Sequence, residues 1–145
     1  MNNNILSLKK DINNIGYYNH FYLKKLNLTN FRNHSNLSMK TPESAILIYG
    51  ENGCGKTNIL EAISLLSQGK GIRKSKIEDY FTQSVFNNNP QKSWGINADI
   101  VTPDGNINIG TGLKETSQKK SRIVRVNAEN CSQIELGKIL KISWI

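Results

Sequence analysis

The stretch Ala45-Ile-Leu-Ile-Tyr-Gly50-Glu-Asn-Gly-Cys-Gly55-Lys-Thr57-Asn-Ile-Leu-Glu-Ala-Ile-Ser-Leu-Leu66 decides how the chain reads. Residues 45–48 form a short apolar run rich in branched side chains and predict a strand buried on both faces, as in a parallel sheet. Gly50, four residues, then Gly55-Lys56-Thr57 is the spacing of a phosphate-binding loop. A polyphosphate crowds negative charge onto closely set oxygens, and only bare backbone brings enough N–H donors to them together. A helix predicted from Lys56 aims its unsatisfied N–H groups and the positive end of its dipole at the same point. Lys56 then meets the β- and γ-phosphates as a point charge, and the Thr57 hydroxyl holds the bridging magnesium ion. Downstream, Ile59, Ile63 and Leu66 recur at helical spacing and predict the apolar stripe of that helix, with Glu61 and Ser64 off it. The three-glycine dinucleotide fingerprint does not occur, so a nucleoside triphosphate is expected and a nicotinamide cofactor is not.

Working outward, 145 residues suffice for one domain or a piece of one. Nineteen Lys+Arg against eleven Asp+Glu give a net charge of +8, which favours nucleic acid as a partner over acidic proteins or neutral metabolites. No apolar run reaches the roughly 18 residues of a membrane helix, and the asparagine-rich start is not a signal peptide, so a cytoplasmic protein without a membrane partner is expected. Cys54 and Cys131 stand far apart and indicate neither a disulfide framework nor a zinc site. His20 and His34 lack partner ligands at metal-binding spacing and read as surface or turn residues.

Residues 1–19 read as a mobile leader and 20–145 as the domain, with a first strand near Phe21. A turn over 30–36 and a short strand from Leu37 follow. Beyond the helix come a polar, basic connection over 69–76, a short amphipathic piece over 77–81 and a loop at 87–90. Alternation at Trp94, Ile96, Ala98 and Ile100, a turn at 102–105, and alternation at Ile107, Ile109, Thr111 and Leu113 predict a hairpin, which a strand over 122–126 extends into a meander. Ser132 and Glu135 form a capping box for a helix to about Lys138, and residues 139–145 read as one more strand-like run.

Several stretches together resemble the RecF family of bacterial DNA replication and repair proteins, relatives of the ATPase heads of the structural-maintenance-of-chromosomes proteins. They are Leu26-Asn-Leu-Thr-Asn-Phe-Arg-Asn33, Tyr49-Gly-Glu-Asn-Gly-Cys-Gly-Lys-Thr-Asn-Ile-Leu-Glu-Ala-Ile63 and Ser67-Gln-Gly-Lys-Gly-Ile-Arg-Lys-Ser-Lys76. The resemblance implies an α/β fold, the first lobe of an ABC-type P-loop ATPase head with its β-meander. It further implies ATP and Mg2+ bound by Gly50, Glu51, Asn52, Gly53, Cys54, Gly55, Lys56 and Thr57, with Thr57 on the metal and Arg32 and Asn33 beside the nucleotide. DNA at single-strand gaps and junctions, the RecO and RecR proteins, placement of the RecA recombinase and an ATP-dependent homodimer are the implied partners and role. The signature loop, second acidic strand end and switch histidine do not occur in this sequence, so hydrolysis is not expected of it, and it reads as the first part of a longer enzyme. A GTPase is disfavoured because no Asn-Lys-x-Asp tetrapeptide occurs, and a small nucleotide kinase because a meander follows the helix. A transporter-type ATPase finds only Gln83 or Gln91, in polar loops, as a magnesium-contacting glutamine, and a non-enzymatic remnant is the remaining alternative.

Lys70, Arg73, Lys74 and Lys76 place four cations in seven residues and are candidate DNA-backbone contacts; the alternative is a solvated connection. No aromatic side chain interleaves them, so base stacking is not expected.

Overall fold

The computed structural model describes residues 21–81, 93–115 and 120–143; the leader at 1–19 and the loop at 87–90 lie outside them. Six strands form one sheet: β1 Tyr22–Phe31, β2 His34–Lys40, β3 Gly95–Thr102, β4 Gly105–Glu115, β5 Lys120–Val126 and the two-residue β6 Glu129–Asn130. Their order is β2-β1-β3-β4-β5-β6, with antiparallel pairing throughout. Among the described residues, helix α1, Lys56–Ser64, helix α2, Gln133–Ile139, and a 3-10 turn at Ile77–Tyr80 accompany the sheet.

Alternation along the strands sorts the side chains. Leu26 and Leu28 of β1, Ile96, Ala98 and Ile100 of β3, Ile109 of β4 and Val124 of β5 enter one core with Ala62, Leu65, Leu66 and Leu136 from the helical segments. The opposite face carries Asn27 across from Asn97 and Asp99 across from Asn108. There Asn97 and Asn108 exchange amide hydrogen bonds of 2.8 and 3.2 Å, and Asn108 also donates to Asp99 at 2.7 Å. Phe31 stacks on Tyr80 at 5.5 Å between centroids, and Trp94 meets both edge-to-face at 5.8 and 5.2 Å; the trio pins the 3-10 turn to the sheet, where the Trp94 indole donates to the Ile77 carbonyl at 2.9 Å. Each such pair contributes about 0.5–1.5 kcal/mol beyond its burial.

The hairpin and the third strand form where alternation predicts them. Four expectations are corrected. Residues 45–48 are not a strand; Leu47 and Tyr49 stand 84% and 85% exposed. A strand needs a neighbour to bond, and every ladder among the described residues lies elsewhere. Glu61 and Ser64, assigned off the buried stripe, are 0% and 1% exposed, whereas Ile59 and Ile63 are only half-buried. Ion pairing lets the Glu61 carboxylate enter the interior. The first turn is tighter than expected, Arg32-Asn33 alone, because Arg32 takes a left-handed φ of 56° and β2 pairs from His34. Residues 140–143 are irregular and not a strand: α2 runs to Ile139, and these four residues join no ladder, while Trp144 and Ile145 lie outside the described residues.

The capping box is present in both directions: Glu135 N–H donates to Ser132 Oγ at 3.2 Å, and Ser132 N–H to Glu135 Oε2 at 2.8 Å. Those bonds hold the Glu135 carboxyl below its ordinary value of 4.5. A depressed folded-state pKa contributes stability above the unfolded value and loses it as pH falls through the folded one. Ser132→Ala is therefore expected to lower the melting temperature by a few degrees at pH 7, and by less once Glu135 is protonated in both states well below pH 4.5. Thermal unfolding at pH 7 and pH 3 checks both.

Candidate functional site

The loop over 50–57 leads directly into α1 although the segment before it is no strand. Gly55, immediately ahead of α1, has φ 98°, in the left-handed region. A Cβ there would stand 2.6 Å from Asn33 Oδ1 and from His34 Nε2, so those side-chain ends would have to shift, and the backbone conformation itself favours glycine. Lys56 Nζ donates to the carbonyls of Gly50 at 2.8 Å and Glu51 at 2.7 Å, closing the loop around its own ammonium, 3.9 Å from Cys54 Sγ. Lys56 and Thr57 are first-turn residues, so their N–H groups lack intrahelical acceptors, and no side chain caps this end of the helix. Glu51, Asn52, Gly53, Cys54 and Thr57 are exposed. The result is an open rim of backbone donors with one cation at its centre, a geometry that selects a polyanion.

The tip of the β1–β2 hairpin braces this loop. Asn58 donates to Asn33 Oδ1 at 2.8 Å, and the His34 ring, as its Nε2–H tautomer, donates to the Gly55 carbonyl at 3.3 Å. Arg32 turns away from the loop: its Nε and one Nη grip Glu61 at 2.9 and 2.8 Å, and further bonds reach the Asp79 carbonyl and Ser75 Oγ. Its guanidinium also lies 5.0 Å over the Tyr80 ring. The hydrogen bond to Glu61 raises the Arg32 pKa above its ordinary value. Of the two residues expected beside the nucleotide, Asn33 meets the loop, and Arg32 binds Glu61 of α1 instead.

Arg73 departs from the basic run as well. All four cations are exposed, but Arg73 donates to Glu61 at 3.1 Å and to Asn58 Oδ1 at 2.8 Å and so supports α1. Sequence reading missed Asn58, Glu61 and Ser75. The available signal was Glu61 itself, a carboxylate whose two arginines, Arg32 and Arg73, stand 29 and 12 residues away and are joined to it only by folding.

At the other end of α1, Arg122 of β5 donates to Thr111 Oγ1 at 2.8 Å and to the carbonyls of Gly69 at 2.6 Å and of Leu65. A cation on the last carbonyls of a helix opposes the negative end of its dipole. Burial pushes this guanidinium down to about 10.

A glycine-rich loop at the head of a helix, seated on an antiparallel meander, is the arrangement of the first lobe of a P-loop ATPase head. The chain belongs to the RecF/RecN/SMC N-terminal domain family, whose model matches residues 22–145. It is 35% identical over 125 residues to the DNA replication and repair protein RecF of Mesorhizobium japonicum, covering 86% of this chain and 32% of that protein. To RecF of Rickettsia typhi it is 37% identical over 124 residues, with the same coverage of 86% and 32%. The chain thus spans about a third of the length of the curated relatives it matches. Among solved structures it is similar to the recombination mediator protein RecF-ATP of the RecFOR pathway, with a TM-score of 0.68 and 29% identity over 85% of this chain and 31% of that one. The SMC head domain from Thermotoga maritima shares the fold, with a TM-score of 0.67 at 22% identity over 82% of this chain and 42% of that one. These likenesses bear out the expected first lobe of an ATPase head. Among the described residues no helix is long and apolar enough to cross a membrane.

Proposed function

We propose that this chain is the nucleotide-binding lobe of a RecF-type DNA replication and repair protein of the cytoplasm. It binds ATP with magnesium at the loop over 50–57 and engages DNA at single-strand gaps and junctions without regard to sequence. In that role it works with RecO and RecR proteins to place RecA, and pairs with a second copy around ATP. The observation that supports the nucleotide reading is the closure of the loop on the Lys56 ammonium, whose two carbonyl contacts are ones a polyphosphate would displace. Thr57, exposed in the first turn, is the residue that would hold magnesium, which supplies charge neutralisation between the β- and γ-phosphates. Likeness to RecF over 86% of the chain supports the repair role.

Cys54 provides the test. Its thiol is exposed on the loop, while Cys131 is half-buried beyond the meander, and burial together with the Glu135 charge raises the Cys131 pKa. Cys54 is expected to alkylate faster, and saturating Mg-ATP is expected to slow its labelling while leaving Cys131 unchanged. Equal labelling of Cys54 with and without nucleotide, read by peptide mass spectrometry, would remove the phosphate from this loop.

A further inference from the structure

A cavity of about 540 Å³ opens at the C-terminal end of α1, nine residues and about 14 Å of helix from the phosphate loop. Lys70, Lys74, Lys76 and Arg122 line it together with Tyr80, against one carboxylate, Glu78. We infer that this cavity is a second anion site, separate from the nucleotide loop, that takes the phosphate groups of a nucleic-acid strand. The inference rests on the proposed DNA role and gives that role a location.

Three features carry it. The first is charge: the structure removes Arg73 from the basic run by binding it to Glu61, yet gathers the other three lysines around one concavity and adds Arg122 from β5, 46 residues beyond Lys76 in sequence. Low-dielectric walls lined by one sign of charge concentrate an oppositely charged ligand. The second is order. The segment bearing the lysines is fixed to the fold by the Tyr80 hydroxyl donating to the Lys70 carbonyl at 3.0 Å, by Ile72 N–H donating to Ser64 Oγ at 3.1 Å and by Arg32 donating to Ser75 Oγ at 2.7 Å. Backbone already held in place loses little entropy on binding. The third is the sign of the helix end. Carbonyls at the C-terminus of α1 would repel a phosphate, but Arg122 occupies that of the capping Leu65, and that of Gly69 in the connection beyond, so its charge offsets the negative pole beside the cavity.

The test compares two triple variants with the same charge change. Lys70→Gln/Lys74→Gln/Lys76→Gln removes the cavity lysines; Lys24→Gln/Lys40→Gln/Lys138→Gln removes three exposed lysines elsewhere. Binding of a fluorescein-labelled single strand is measured by anisotropy across salt concentrations of about 50 to 200 mM. The cavity variant is expected to lose about tenfold or more in affinity and to flatten the salt slope by about two units, near 0.7 for each phosphate no longer neutralised. Mg-ATP binding is expected to be the same in both variants. Equal losses of DNA affinity in the two would show a net-charge effect and overturn the cavity assignment while leaving DNA binding intact. If the unaltered protein binds no strand at all, the DNA reading fails, and lysine acetylation footprinting with inorganic pyrophosphate decides the anion site separately. Selective protection of Lys70, Lys74 and Lys76 in a Lys56→Ala background upholds it, and protection no greater than that of Lys24 and Lys40 overturns it. Tighter binding of a 5′-phosphorylated strand than of its 5′-hydroxyl twin assigns the site to a terminal phosphate; equal binding assigns it to the backbone.

Discussion

Lys56→Ala is expected to abolish measurable Mg-ATP binding in calorimetry while leaving the unfolding transition almost unchanged. The ammonium is the single side-chain cation inside the loop among the described residues, and it binds the carbonyls of Gly50 and Glu51. A charge-assisted hydrogen bond contributes about 1.5–3 kcal/mol, and a lysine shared between two phosphates makes more than one. Affinity should therefore fall by at least about thirtyfold. Folding needs little from the same group, because those loop bonds are solvent-exposed. Equal ATP affinity in the two proteins would sink the assignment of the loop.

Glu61→Gln is expected to have the opposite profile, a loss of about 3 kcal/mol of stability in urea unfolding. The Glu61 side chain is 0% exposed and shared between Arg32 at 19% exposure and Arg73 at 42%. The amide keeps the volume but leaves Arg32 without its counter-charge in a largely desolvated place. Arg73→Gln should cost less than about 1 kcal/mol, because a partner that is nearly half in water is well screened. Arg32→Gln should fall between them. A loss below about 1 kcal/mol for Glu61→Gln would mean that the carboxylate does not hold the hairpin tip to α1. Nucleotide affinity should weaken moderately alongside, since Arg73 also orients Asn58, and Asn58 orients Asn33 against the loop.

Much of the meander was legible in the sequence because its signals are local. Trp94 to Ile100 and Ile107 to Leu113 alternate with period two, and Pro103-Asp104 separates them, so pairing and facing follow from neighbours in the chain. The glycine-rich loop carries a local signal too, since the positive φ at Gly55 favours glycine there. Segment 45–48 misled because branched apolar composition states what a strand would bury, whereas a strand exists only with a neighbour to bond. Glu61 misled for the converse reason. Helical periodicity ranks a carboxylate as solvent-facing, and only the arrival of Arg32 from one hairpin and Arg73 from the next connection reverses that. Arg122 escaped notice because it reads as one more residue of an edge-like basic strand, yet its partners are main-chain carbonyls 53 and 57 positions earlier.

That last separation sets an order of events on the ribosome. The loop and α1 leave the exit tunnel well before β5, yet the helix is held at its far end by Arg122. At about 5–20 residues per second, the roughly sixty residues in between take about 3–12 s to synthesise. Throughout that interval a nine-residue helix stands without its distal clamp, and helices of that length are marginal alone in water. A nascent chain arrested between Thr57 and Arg122 should thus be unable to retain nucleotide, and acquisition of ATP would report that the sheet has closed.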